Sequence, residues 1–193
     1  MEQSQLESDV ERLLKSLGQL PKAVGGPSFI AVSGLPGTGK THFCNRLAER
    51  VPLALLESDA LRKTLFPKPT YSREESARLF QAIHTLIERL LKRGIPLILD
   101  ATNLSERYRE QLYAIADRLN ARLVLVQVKA PARVVRERLD ARVSRGATKS
   151  DADWEIYQKM KPTVEKIHRH HFVVDTSKDI TLAIDKVVRE INR

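Results

Sequence analysis

The chain has 193 residues, 42% of them hydrophobic, which suits one domain with a sizeable core. Its single cysteine, Cys44, excludes an internal disulfide, and no apolar run approaches the length of a membrane span. A formal charge of +9 favours polyanionic partners such as nucleotides, nucleic acid or phosphorylated metabolites, and is equally met by a solvated surface rich in arginine.

In chain order, Leu6, Val10, Leu13, Leu14, Leu17 and Leu20 recur at helical spacing. They predict an amphipathic first helix that packs on the core or contacts another subunit. Pro21 and Gly25-Gly26-Pro27 end it, so residues 1–27 read as helix and linker and residues 28–193 as the main domain. Phe29-Ile30-Ala31-Val32 is an apolar run before a glycine loop and reads as a buried parallel strand. A helix follows from Gly39 towards Arg50, and a second strand spans Pro52 to Leu56. Ser72 to Lys92 is a long helix with Leu79, Ile83, Leu86, Ile87 and Leu90 on its apolar face, closed by Gly94. Pro96 to Leu99 is a third strand ending on Asp100, and Ser105 caps a helix to Leu119. A fourth strand covers Leu123 to Val128, and Pro131 opens a helix to Val143. A loop from Arg145 to Ser150 leads to a helix from Asp151 to His168, kinked or interrupted by Pro162. Phe172-Val173-Val174 is the fifth strand, and Ile180 to Ile191 the last helix. Alternating strands and helices predict a parallel sheet covered on both faces.

Gly34-Leu35-Pro36-Gly37-Thr38-Gly39-Lys40-Thr41 fits the phosphate-loop pattern at every fixed position, between a predicted strand and a predicted helix. Glycines let backbone N–H groups turn inward around phosphate oxygens, and the helix N-terminus adds its positive end. Lys40 supplies a cation for the outer phosphates, and Thr41 offers a hydroxyl to Mg²⁺. The pattern predicts binding of ATP with Mg²⁺.

Asp59, in Ser58-Asp59-Ala60-Leu61-Arg62, falls at the carboxyl end of the second strand, on the same rim as the loop. An aspartate there takes a proton from an attacking hydroxyl, or Ser58 or Asp59 caps the next helix. Arg62 lies about one helical turn on and shares that cleft. Asp100 is placed to hold Mg²⁺ directly or through water, while Asn103 reads either as an acceptor contact or as turn chemistry. Arg133, Arg136, Arg138, Arg142 and Arg145 form a basic cluster; Arg138 and Arg142 share a face and are the candidates for stabilising a transferring phosphoryl group. The others read as a solvated face paired in part with Glu137 and Asp140. His168, His170 and His171 lie close together without the cysteine or HExxH context of a metal site. Trp154 reads as packing for its own helix, and Asp175-Thr176-Ser177 as a stretch that approaches the adenine. Met1 to Gln5 lack a basic region followed by an apolar core, so a cytoplasmic setting is expected.

These segments resemble the P-loop kinases related to the 5′-kinase domain of polynucleotide kinases, and in particular small bacterial ATP-binding kinase-like proteins of that branch. The likeness rests on the phosphate loop, Ser58 to Arg62, Asp100-Ala101-Thr102-Asn103-Leu104, and the Arg138/Arg142 pair, and covers Phe29 to the C-terminus. It implies a three-layer α/β/α fold with a five-stranded parallel sheet in order 2-3-1-4-5. It also implies Asp59 as general base, Arg62 as an acceptor-phosphate or transition-state contact, and Arg142 as an arginine of a lid around residues 138–150. The implied activity is transfer of the γ-phosphoryl group of ATP to a hydroxyl. The acceptor is either a polynucleotide 5′-hydroxyl or a small nucleotide-like, sugar-like or antibiotic alcohol. No aromatic-rich strand suited to base stacking is visible in the sequence. A P-loop ATPase or switch without acceptor is the competing class.

Overall fold

The computed structural model describes residues 2–145 and 152–193. Helix α1 (Glu2–Ser16) precedes β1 (Ser28–Ser33), α2 (Lys40–Ala48), β2 (Ala54–Glu57), α3 (Ser58–Leu65) and α4 (Arg73–Lys92). Then come β3 (Leu97–Asp100), α5 (Glu106–Arg118), β4 (Arg122–Lys129), α6 (Ala132–Arg145), α7 (Trp154–Met160), β5 (Phe172–Asp175) and α8 (Thr181–Ile191). The five strands form one parallel sheet in the order β2-β3-β1-β4-β5. The fold is a P-loop NTPase α/β/α sandwich.

The strands are apolar runs because both faces of the sheet are covered. Their residues divide by parity. Phe29 and Ala31 point to a core shared with α1, α3, α4 and α5, while Ile30 and Val32 point to one shared with α2 and α8. A third cluster, Val135, Leu139 and Tyr157 with Leu35 and Trp154 against it, joins α6 and α7 to the phosphate loop. Ser72 caps α4 by accepting the Glu75 N–H (3.1 Å), and Ser105 caps α5.

Helix α1 packs across α3 and α4 and buries Val10 and Leu13 completely. Its buried Asp9 accepts hydrogen bonds from Arg78 Nε (2.6 Å), Arg78 Nη2 (2.8 Å) and Gln5 Nε2 (3.0 Å). The Arg78 guanidinium outweighs burial and holds the Asp9 carboxyl below its usual range. Arg12 adds a bond to the Thr64 carbonyl (2.6 Å) at the end of α3.

The helix expected from Asp151 to His168 is much shorter. It runs Trp154–Met160, with Asp153 as its cap, and tightens into a 3₁₀ turn over Lys161–Thr163. Pro162 lacks an N–H and crowds the preceding turn, so Val164 leaves the helix in an extended conformation. Of the expected lid, residues 146–150 lie outside the described residues, while Arg145 ends α6.

Candidate active site

The turn from β1 into α2 is closed by short local bonds. Thr38 donates its hydroxyl to the Leu35 carbonyl (2.7 Å), and Lys40 Nζ donates to the same oxygen (3.1 Å). The Gly34 N–H donates to the Thr102 carbonyl (3.0 Å), which fixes the loop to the end of β3. Gly37 and Gly39 have φ of +77° and +89°, where side chains are strained. A Cβ on Gly39 would also lie 2.9 Å from Thr176 Oγ1, and one on Gly37 2.8 Å from Val135 Cγ1. The glycines therefore serve both the turn and the close approach of α6 and the β5–α8 loop.

The N-terminus of α2 presents its free N–H groups to this loop, which makes an anion site. Burial lowers the pKa of Lys40, while the charges of Asp100 and Asp59 oppose that shift and Arg142 adds to it. Asp100 ends β3 beside Val32 and Glu57 in the register of the sheet. It accepts the Thr41 hydroxyl at 2.6 Å. Burial raises the Asp100 pKa; Lys40 and the Thr41 bond hold it down, and Glu57 and Asp59 push it further up. Among the described residues no group of three or more His, Cys, Asp or Glu side chains could hold a metal ion. Thr41 and Asp100 supply two hard oxygen donors at hydrogen-bond distance, a set that fits Mg²⁺ completed by water and phosphate oxygens.

A cleft of about 1200 Å³ opens over the phosphate loop. Lys40, Thr41 and Asp100 line it together with Asp59, Arg62, Arg138 and Arg142. Tyr71, Phe80, Ile156, Lys159 and Met160, from outside the phosphate loop, line it as well. Arg62 is buried and engaged: Nη1 donates to Glu75 (2.5 Å), Nη2 to Ser76 Oγ (3.3 Å), and the guanidinium lies 4.8 Å from the centre of the Tyr71 ring. Arg62 Nε is buried without a hydrogen-bond partner among the described residues.

Arg138 donates from Nη1 to the Thr176 hydroxyl and from Nη2 to the Thr176 carbonyl, both at 2.8 Å. Thr176 donates its own hydroxyl to the Thr38 carbonyl (2.6 Å). The stretch expected near the adenine thus reaches the phosphate loop itself, and Arg138 clasps it there. Asn103 does not line the cleft. Its side-chain amide donates to the Val32 carbonyl (2.8 Å), and its backbone is left-handed at φ 44°, a conformation that asparagine tolerates. The structure gives Asn103 to the turn. Arg133 and Arg136 lie near Glu137 and Asp140 on an exposed face, and Arg136 also covers the Trp154 ring.

Glu75 and Arg109, beside the site, went unread in the sequence, as did Tyr71 and Phe80 of the cleft. Glu75 accepts bonds from Arg62, from the Thr70 N–H (2.6 Å) and hydroxyl (2.9 Å), and from the Tyr71 N–H (3.3 Å). Burial opposes its ionisation, but the Thr70 N–H, Arg62 and the other donors win and hold its pKa to about 2. The spacing of Ser72 and Glu75 was its available signal, since Ser-x-x-Glu marks a capping box. Arg109, 2% exposed, donates to the carbonyls of Asn103 (2.9 Å), Leu104 (2.7 Å), Glu165 (3.2 Å) and Lys166 (2.8 Å) and pairs with Glu106. Nothing local in the sequence announces it.

The profile of the AAA domain family matches residues 29–167, and the chain belongs to that family. No curated protein matches the sequence. Among solved structures, the protein APE1195 is similar with a TM-score of 0.72 at 21% identity, over 89% of this chain and 98% of its own. Chaetomium thermophilum Kti12, solved with ADP-AlF3, is similar with a TM-score of 0.67 at 21% identity, over 84% of this chain and 98% of its own. A gluconokinase from Sinorhizobium meliloti 1021 is similar with a TM-score of 0.59 at 24% identity, over 86% of this chain and 89% of its own. Among the described residues no helix is long and apolar enough to cross a membrane.

Proposed function

We propose that this member of the AAA domain family is an ATP-dependent kinase that transfers the γ-phosphoryl group to a hydroxyl acceptor. The observation that carries the reading is a single cleft shared by the phosphate loop and by Asp59 and Arg62. Its volume of about 1200 Å³ exceeds the roughly 300–1,000 Å³ that suits one small ligand, so donor and acceptor fit side by side. Kti12 with ADP-AlF3 and a gluconokinase share the fold, which supports a nucleotide donor and a small alcohol as acceptor.

In this reading the backbone N–H groups of Gly37 to Thr41 and the Lys40 ammonium hold the outer phosphates. Thr41 and Asp100 hold Mg²⁺, directly or through water, and the bound ion offsets phosphate charge. Asp59 takes the proton of the acceptor hydroxyl as that oxygen bonds to the γ-phosphorus. The bond from phosphorus to the β–γ bridging oxygen breaks, and ADP leaves with its electron pair. Arg142 faces this reaction from α6, and Arg138 holds the β5–α8 loop against the donor site. Two acceptors compete. The +9 charge and the resemblance to polynucleotide 5′-kinases favour a strand end. Against it, Arg46, Arg50, Arg78, Arg89, Arg118 and Arg169 are each paired with carboxylates. These arginines form no open basic track for a phosphate backbone, which favours a small molecule.

The test follows labelled γ-phosphate into product from pooled hydroxyl acceptors, including a 5′-hydroxyl oligonucleotide. Asp59→Asn is expected to lower transfer by about 10²- to 10⁴-fold while ATP affinity holds. Full transfer by Asp59→Asn would remove Asp59 as the base. Hydrolysis with no phosphorylated product from any pool would instead support an ATPase or switch.

A further inference from the structure

The acceptor half of the cleft differs in character from the phosphate half. Its one buried cation, Arg62, is matched by Glu75 at 2.5 Å, and both side chains are shielded from solvent. A matched, buried guanidinium offers little to a phosphate or sulfate on the acceptor. Its Nε–H is itself buried without a partner among the described residues, so the guanidinium serves the wall as a matched, enclosed group. Lys159, the other cation of this wall, is exposed on α7.

Beside Asp59 and Ser58, much of the remaining surface is aromatic and aliphatic. Tyr71 and Phe80 line the cleft together with Ile156 and Met160 of α7. Tyr71 is 45% exposed and sits at φ 56°, a conformation costly for an aromatic residue. It is held there from two sides. Glu75 accepts its N–H (3.3 Å) and that of Thr70 (2.6 Å), and the Arg62 guanidinium lies 4.8 Å from its ring centre. Phe80 is backed by the Tyr108 ring, nearly parallel at 6.4 Å. Phe80 also packs against the core of α1, α3, α4 and α5, whereas the Tyr71 ring, strained and half-open in the same cleft, is a stacking surface.

We propose that this half of the cleft selects an uncharged alcohol carrying a planar ring, a nucleoside or an aromatic alcohol, which stacks on the Tyr71 ring with Phe80 as a second apolar wall. The inference rests on the kinase reading for its reaction but not for its binding. The ring comes either free or as the terminal nucleoside of a strand, and the two sources share the same stacking chemistry.

The experiment uses the full chain with MgATP and three probe sets: free nucleosides with neutral aromatic alcohols, a 5′-hydroxyl oligonucleotide, and charged or acyclic alcohols such as gluconate, glycerol and a sulfated nucleotide. Calorimetry reads binding, and mass spectrometry reads phosphorylated product. Neutral ring alcohols are expected to bind best, and Tyr71→Ala to weaken them about tenfold or more. Tyr71→Phe should restore binding, because the ring and not the hydroxyl makes the surface. Phe80→Leu, which keeps the apolar volume, should also weaken ring binding, and ATP affinity reports the fold of each variant. An oligonucleotide that binds with the same Tyr71 dependence places the ring at a strand end, which supports the inference as well. Tyr71-dependent binding without transfer defeats the kinase reading and leaves the ring site standing. Transfer to gluconate or a sulfated acceptor that Tyr71→Ala does not weaken defeats the ring site and leaves the kinase reading standing.

Discussion

The two halves of the cleft are built by different means. The phosphate half comes from eight contiguous residues, Gly34 to Thr41, whose backbone and helix end face the ligand, with Asp100 added at 2.6 Å from Thr41. The acceptor half draws on α3 for Asp59 and Arg62, on the loop before α4 for Tyr71, on α4 for Phe80, and on α7 for Ile156 and Met160. Phosphate is recognised by N–H groups that any sequence with the right turn supplies. In the proposed reading the acceptor would be recognised by side chains, and their arrangement depends on how four separate segments pack. Substitutions should therefore separate into those that disturb the common floor, those that disturb the acceptor wall, and those that tune the donor loop.

The largest effect is expected beneath both halves, at Arg109. Its guanidinium joins the turn after Asp100, through the Asn103 and Leu104 carbonyls, to the Glu165–Lys166 stretch after α7. Arg109→Ala removes the charge that pairs with Glu106 and the donor to the Glu165 and Lys166 carbonyls, while the Asn103 and Leu104 carbonyls keep Ser33 Oγ and the Glu165 N–H. The loss should be about 3–5 kcal/mol, the range for breaking a buried charged network. Urea denaturation checks it. An unchanged midpoint would mean that the two stretches hold without the clamp, and that the halves of the site are more independent than the network implies.

The next effect lies in the acceptor wall, at Glu75. Its folded-state pKa of about 2 is below the ordinary 4.5, so its stabilisation is fully present above 4.5 and is lost as pH falls towards 2. Glu75→Gln keeps the shape but removes the charge that matches Arg62 and caps the loop around Tyr71. It should cost about 1.5–3 kcal/mol at neutral pH, the worth of bonds to a charged group. The stability curves of the two proteins should converge between pH 4.5 and 2. The difference between them isolates Glu75 from Asp9, which is also held below its usual range. Parallel curves through that window would show that Glu75 is not the group being titrated.

The contrast also explains what the sequence disclosed. The sheet order came from the resemblance to P-loop kinases, while most elements were readable because apolar strands and capped helices are local patterns, as with Ser105 before α5. The phosphate loop was readable for the same reason. Asp59, Arg62 and Asp100 were readable through their place at strand ends, where the topology of a parallel sheet brings side chains together. The length of α7 was misjudged because helical spacing persisted past Pro162, whose missing N–H ended the helix. The aromatic wall was invisible: Tyr71 and Phe80 belong to no periodic stripe of rings, and they line one cleft only once Glu75 holds the loop before α4 against Arg62 of α3. Asn103 could be read as either turn or contact, and the choice depended on a carbonyl 71 residues away in sequence, that of Val32.

The smallest effect tests whether the donor half is tuned from outside its own motif. Thr176 sits after β5, yet its hydroxyl donates to the Thr38 carbonyl at 2.6 Å and accepts from Arg138 at 2.8 Å. Thr176→Val preserves the shape that packs against Gly39 and removes only the hydroxyl. Arg138 keeps its bond to the Thr176 carbonyl, so α6 stays attached while the phosphate loop loses one tie. A loss of about 1 kcal/mol is expected, or roughly a fivefold drop in ATP affinity, with the acceptor KM unchanged. Thr176→Ser should restore it, because the hydroxyl and not the methyl carries the bond. A changed acceptor KM with ATP affinity intact would break the division into halves, since it would mean that the β5–α8 loop acts on the far wall of the cleft.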